Sequence, residues 1–332
     1  IVDISKKEGL AKGLKLGFLL PTRGLIMQDE SPDNANEILS LANHAENAGF
    51  DSVWVGDSLT AKPRLEPLTT LAAVAGHTNR VRLGTAVLLA ALRNPVLLAQ
   101  TLGTLDLISG GRTVITVGAG GSFNAAQKAE WNNAGISASS RGRRMEELVE
   151  IVKMLGTKAH GSFQGDHFDI DNVTVGPKPL QKGGVPILFA CHLRAKREAQ
   201  FERTGRIGDG YISISESPEG FAEIRRKVSE YANLYGRESD EMEAVYYMTV
   251  NLNSHEHSAA KEADSYLMKY YGANIWGNTW GPWGDPKRIA DRIGEFADAG
   301  ADTIIVRFAS PNQGSQLDLF IDQVLPEFQP SS

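Results

Sequence analysis

Several short stretches of the chain carry side chains able to do chemistry. Asp57 and Ser58 follow the apolar run SVWVG, and Arg23 follows KLGFLLPT. A carboxylate in that place acts as a general base or accepts a hydrogen bond from a polar ligand edge, or else caps its own turn. Arg23 and Ser58 are the neighbouring groups a polar substrate would meet. The glycine run GAGGSF, Gly118 to Phe123, is either a phosphate cradle or a tight turn. It departs from a dinucleotide fingerprint, because Phe123 stands where the third glycine belongs. Cys191, His192, Leu193 and Arg194 run into a helix start, where N–H groups beside a guanidinium make an anion site. The plain alternatives are an inert thiol, a histidine satisfied by backbone and a solvated arginine. Trp276, Trp280 and Trp283 share the stretch NIWGNTWGPWGD, whose aromatic content suits a substrate lid or a loop closed on itself.

Other chemistries lack support. His255 and His257 stand two apart, not at the four-residue spacing that puts two ligands on one helical face, so no metal site is expected. Asp166, His167, Asp169 and Asp171 alternate as the solvent face of a hairpin does. No G-x-S-x-G elbow is present, which leaves serine nucleophile chemistry without a scaffold.

These stretches are positioned by a repeating unit. Apolar runs KLGFLL, DSVWV, VRLGTAVLL, RTVITVG, VPILFA, DGYISI, EAVYYMTVNL and DTIIVRF are each followed by a segment of helical periodicity. Eight strands alternating with helices predict parallel pairing and right-handed crossovers, and favour a closed (β/α)8 TIM barrel over an open doubly wound sheet. Residues 1–332 are expected to form a single barrel domain. Two segments break the period, about 157–184 and 273–285; the first reads as a hairpin laid over a barrel end and the second as a lid. In a barrel the active site lies at the C-terminal ends of the strands, where the stretches above fall.

Composition removes several partners. Against 34 basic residues stand 40 acidic ones, a net charge of −6 with no basic stripe, so neither nucleic acid nor anionic membrane is the expected partner. No apolar run reaches the roughly 18–20 residues of a bilayer span, and no leader pattern opens the sequence. The single cysteine, Cys191, excludes an internal disulfide. The expectation is a soluble cytoplasmic protein.

Four segments together, AENAGFDSVWVGDSL, VRLGTAVLLAALRNPVLLAQTLGTLDLISGGR, the RGRRMEEL helix start and DGYI near residue 210, resemble the bacterial luciferase-like flavin-dependent oxidoreductases. The likeness extends over most of the chain in matching order. It implies a barrel that binds FMN, or in a related branch the deazaflavin coenzyme F420, at its C-terminal mouth. It also implies a bulged third strand with a non-proline cis peptide, placed by GTAV between Ala86 and Val87, under the flavin ring. The family's phosphate site maps onto Cys191, His192 and Arg194 with Arg141, and Gly118 closes the neighbouring strand. Many relatives have a small Gly or Ser loop where ACHLR stands here, and a histidine where this chain has Ser58, so the acid or base falls to Asp57.

Three readings follow from the resemblance. The leading one is a two-component monooxygenase that takes reduced FMN from a separate flavin reductase and uses O2 on a small, largely apolar organic substrate. The alternative is an F420-dependent hydride-transfer oxidoreductase, and the third is a non-catalytic flavin-binding paralogue. A homodimer is expected, because the second and third helices, EPLTTLAAVAGH and PVLLAQTLGTLDLIS, are apolar on more than one stripe.

Overall fold

A computed structural model describes residues 13–273 and 280–329. The strands are β1 (Lys15–Leu19), β2 (Ser52–Val55), β3 (Arg82–Leu88), β4 (Thr113–Val117), β5 (Gly161–Gln164), β6 (Asp169–Val173), β7 (Ile187–Ala190), β8 (Gly210–Ile214), β9 (Glu243–Leu252), β10 (Trp283–Gly284) and β11 (Thr303–Phe308). The helices are α1 (Pro32–Ala48), α2 (Pro67–Ala75), α3 (Pro95–Ser109), α4 (Ala125–Asn133), α5 (Arg141–Thr157), α6 (Ala199–Ile207), α7 (Pro218–Leu234), α8 (Glu256–Tyr271), α9 (Pro286–Asp298) and α10 (Gln313–Gln323). Strands β1, β2, β3, β4, β7, β8, β9 and β11 pair in that order, all parallel, and β11 returns to β1. The eight runs read from sequence are these eight strands, closed as a (β/α)8 barrel.

Local chemistry sets where each unit starts and stops. Helices α1, α3 and α9 open on Ser31, Asn94 and Asp285, whose side chains accept from N–H groups of the first turn, each with proline next in line. Gly49 and Gly110 end α1 and α3 in the left-handed conformation, at φ 99° and 71°. A recurrent aspartate then registers the sheet at the barrel's N-terminal end. Asp51, Asp209 and Asp302 each precede a strand and accept from the backbone N–H of Leu16, Ile187 and Ala244 on the neighbouring strand, all at 2.8 Å.

The lumen is filled, not hollow. Trp54 is fully buried at its centre, with Leu19, Val114, Leu188, Ile212, Val245, Tyr247 and Ile305 around it. Its indole lies against two glycines on the flanking strands: a Cβ on Gly17 would stand 2.6 Å from its Nε1, and one on Gly84 2.1 Å from its ring. The glycine of the GTAV stretch is therefore required by core volume.

The insertions depart from expectation in placement. The hairpin β5–β6 forms, but lies along α5 and not across the mouth: Gly161 packs on Met154, Glu147 accepts from the N–H groups of Asp166 and His167, and Arg144 stacks on Phe168. In the second insertion Trp283 and Gly284 extend the sheet beside Asn251 and Leu252 of β9. Trp276 lies outside the described residues. Helix α4, before α5, was not foreseen; its polar sequence AAQKAEWNN carries a weak periodicity. Among the described residues no helix is long and apolar enough to cross a membrane.

The packing around Trp54 makes a quantitative statement. Gly84→Ala forces the indole or the strand to move and is expected to cost about 1–3 kcal/mol. Urea unfolding measures it, and a loss below about 0.5 kcal/mol would show the lumen to be slack.

Candidate active site

The C-terminal mouth is asymmetric, with a backbone shelf on one side and a cationic, aromatic wall on the other. The shelf begins where β3 stops pairing regularly. Its register with β4 shifts between Thr85 and Leu88, and the Ala86–Val87 peptide there is cis. The Thr85 hydroxyl donates to Thr116 O at 2.9 Å and accepts from Thr116 N–H at 3.0 Å, covering the interrupted ladder. Ala86 and Val87 are half-buried in an otherwise buried strand end. Gly118 at the end of β4 leaves room for Val87: an added Cβ would meet Val87 Cγ2 at 2.6 Å and Ala190 of β7 at 3.7 Å. Ala86 and Val87 on β3 and Gly118 at the end of β4 are thus brought together on two adjacent strands.

Asp57 holds the shelf from behind. Its carboxylate accepts from Leu89 N–H at 2.9 Å and from Arg93 Nη2 at 2.8 Å, and its side chain is 2% exposed. Burial raises its pKa, with the Arg93 guanidinium opposing. A carboxylate so engaged braces the end of β3 through its Oδ2. Ser58 is likewise committed: its hydroxyl donates to Glu130 Oε1 at 2.8 Å and accepts from Lys62 N–H at 2.9 Å. Glu130, on α4, also takes the N–H groups of Thr60 and Ala61. Ser58 therefore clips a loop.

The predicted phosphate residues separate into two groups. Arg141, first residue of α5, donates to Gly120 O at 3.2 Å and to Ala138 O, and its pKa is lowered by burial and then by the charge of Arg197. Two cations and a glycine loop thus converge beside Gly118. Cys191 points away from them, fully buried, with Sγ 3.3 Å from Thr204 Oγ1; burial pushes its thiol up to about 12. It is a core residue, which corrects its place among the ligand contacts. His192 donates its backbone N–H to Gln200 Oε1 at 2.8 Å and sets Nδ1 3.3 Å from Ser213 Oγ. Burial, helped by Arg194, depresses its imidazole to about 4, so it is neutral at pH 7. Arg194 turns to Ile214 O, at 3.3 Å, and to the charge of Glu216. No helix start lies at His192 either: residues 193–195 form one 3-10 turn and α6 opens at Ala199.

The opposite wall joins Arg23, Trp280 and Trp283 to groups that the sequence did not single out, Lys62, Arg64, the tyrosines of α8 and Arg307. Arg23 donates to Tyr270 O at 3.2 Å and to Pro63 O at 2.9 Å, tying the loop after β1 to α8. Lys62 lies 4.4 Å above the Tyr271 ring, and Arg64 lies 5.8 Å from that of Tyr270. Burial and then Arg64 lower the pKa of Lys62. Trp280, 6% exposed, donates to Ser215 Oγ and meets the Tyr271 ring edge-on at 5.4 Å. Trp280 thus packs against the end of β8 and α8, whereas half-buried Trp283 lies on β10. Arg307, at the end of β11, is buried among these rings; the only sequence signal for it was a charge inside the apolar run DTIIVRF.

The sequence model of the luciferase-like monooxygenase family matches residues 14–276. The chain belongs to that family. Among curated relatives it is similar to an F420-dependent glucose-6-phosphate dehydrogenase of Amycolatopsis mediterranei, 26% identical over 88% of this chain and 94% of that one. It is also similar to a 5,10-methylenetetrahydromethanopterin reductase of Archaeoglobus fulgidus, 26% identical over 77% and 69%. A monooxygenase from Streptomyces bottropensis shares the fold, with a TM-score of 0.80 at 24% identity over 95% of this chain and all of the other. This luciferase-like protein is an enzyme of the oxidoreductase class, which sets aside the non-catalytic paralogue.

The Asp57 brace carries a pH signature. The folded state binds the Asp57 proton more tightly than the unfolded chain does. Stability should therefore fall as pH rises from about 4 toward the raised value, then stay level. Arg93→Met pushes that value higher, extends the fall upward and should cost about 3 kcal/mol at neutral pH. Urea unfolding at pH 4 and pH 7.5 reads both; an equal loss at the two would assign Arg93 to packing alone.

Proposed function

We propose that this luciferase-like enzyme is an F420-dependent oxidoreductase that exchanges a hydride with a small organic substrate at the barrel mouth. The observation that carries the reading is the likeness, over nearly the whole length of both chains, to a relative named as F420-dependent. It takes precedence over the reduced-FMN monooxygenase expected from sequence, because the monooxygenase neighbour supports the fold alone.

The described residues fit such a coenzyme. Backbone at Ala86 and Val87, with no side chain on Gly118 to intrude, offers a flat support for a tricyclic ring. Arg141 and Arg197, beside the Gly120 carbonyl, suit the coenzyme's phosphate. Bound F420 supplies a two-electron hydride acceptor or donor. Asp57 keeps β3 bulged by holding Leu89 and Arg93, neutral His192 gives the mouth a polar, uncharged wall, and Trp280 keeps water from the reacting face.

Titrating the protein with F420 and with FMN, reduced and oxidised, tests this directly. F420 should bind at least tenfold more tightly, and turnover should consume no oxygen. Tighter binding of reduced FMN with oxygen uptake would replace the proposal by the monooxygenase reading.

A homodimer through α3 is part of the same proposal. Leu97, Thr101, Thr104 and Ile108 form one exposed stripe, with Leu97 65% and Ile108 57% exposed. Ile108→Glu should halve the mass measured by light scattering; an unchanged mass would move the interface elsewhere.

A further inference from the structure

Arg307 combines features that no structural role accounts for. Ile305, two residues earlier on β11, belongs to the lumen cluster, so Arg307 projects inward at the next level up, at the C-terminal mouth. It is 3% exposed and has no carboxylate partner among the described residues. Its neighbours are rings: its Cζ lies 4.3 Å from the Trp280 centroid and 5.3, 5.6 and 5.4 Å from those of Tyr247, Tyr270 and Tyr271. Ring faces hold a cation in place, but they do not take its hydrogen bonds.

The hydrogen-bond inventory is specific. Nη1 donates to Tyr271 Oη at 2.5 Å, whereas Nε and Nη2 have no partner among the described residues. Those two nitrogens form the side-on edge of the guanidinium, whose parallel N–H groups match the two oxygens of a carboxylate or phosphate. Thr249, the register partner of Arg307 on β9, also has an unpartnered buried hydroxyl. Burial of the cation opposes its charge, but a guanidinium stays protonated at neutral pH inside a protein. Arg23, Lys62 and Arg64 surround the same tyrosines and add positive potential.

We propose that Arg307 anchors an oxyanion group of the substrate through its Nε and Nη2 edge, with the Thr249 hydroxyl as an additional donor. The substrate class is accordingly a small organic acid or a phosphate or sulfonate ester, carrying its anionic end toward β9 and β11 and its reacting carbon toward the β3 shelf. Calling the anion a substrate group rests on the proposed hydride-transfer reading; the anion site itself does not.

Calorimetric titration with acetate, inorganic phosphate and methanesulfonate, at constant ionic strength set with chloride, tests the site. The protein is used with and without F420, and thermal unfolding is followed in parallel. Saturable binding of at least one anion is expected, weakened at least tenfold in Arg307→Met and partly retained in Arg307→Lys. Because the methionine removes a buried, half-satisfied cation, its melting temperature without anion should equal or exceed that of the parent, and its F420 affinity should be unchanged. Anion binding that survives Arg307→Met, or no saturable binding to the parent, would overturn the proposal. A lower melting temperature together with lost F420 binding would assign Arg307 to structure and overturn it as well. A weakened F420 affinity alone would transfer the anchor to an acidic part of the coenzyme. Anion binding without any F420 binding would leave the site standing and remove the coenzyme reading.

Discussion

Trp54 occupies the middle of a closed ring of eight strands, and its size dictates what its neighbours are allowed to be. Glycines stand opposite it on β1 and β3 because a methyl group on either would overlap the indole. The volume rule inside the barrel thereby reaches the catalytic end: β3 leaves the lumen as a glycine-containing strand and changes register within two residues, between Thr85 and Leu88. Interior packing and site geometry are consecutive stretches of one strand.

What supports the bulge is polar and comes from β3 itself and from the loop after β2. Ladder hydrogen bonds lost at β3 are replaced by the Thr85 hydroxyl on one side and by the Asp57 carboxylate on the other. An unpaired carboxylate at 2% exposure would be costly, and Arg93 makes it tolerable by supplying the charge as well as a donor. The residue that looked most like an acid or base from its position is thus tied into the architecture, and burial is the largest cause of its raised pKa. A perturbed carboxylate near a ligand site is therefore a weak guide to chemistry when its hydrogen bonds all point into the protein.

Legibility in the sequence followed range. The eight strands could be read because each is a contiguous apolar run, and three of them carry the aspartate that pins the neighbouring strand. The β3 shelf was legible only through resemblance, since nothing in the composition of GTAV distinguishes a bulge from a regular buried strand. The partners of Cys191 and Ser58 were not legible for a common reason. Side-chain direction at a strand exit depends on partners far away, Thr204 and Glu130, whose positions are tertiary facts. Arg307 was overlooked because inward and outward positions on a barrel strand are equally apolar on average, and parity becomes known only once Ile305 is placed in the lumen. The cationic wall is assembled from residues 23, 62, 64 and 307, separated by as much as 284 positions (307 − 23), so no local pattern could announce it.

The two sides of the mouth divide the electrostatic work. Beside Gly118, Arg141 and Arg197 lie near a loop carbonyl at partly exposed positions, which suits a charged group that keeps contact with water. On the far wall the charge is sunk among tyrosines and a tryptophan, where the local dielectric is low and a single misplaced dipole is expensive. A buried cation facing only rings and one phenol discriminates strongly: an anion of matching shape satisfies two donors at once, while a neutral ligand of the same volume leaves both orphaned. With Tyr247, itself held protonated by burial, lying between that cation and the indole-filled lumen, the wall has no negative group of its own among the described residues with which to neutralise it. Selectivity at this mouth consequently comes from which charge is missing, and the same absence orients a ligand by turning its anionic end away from the shelf.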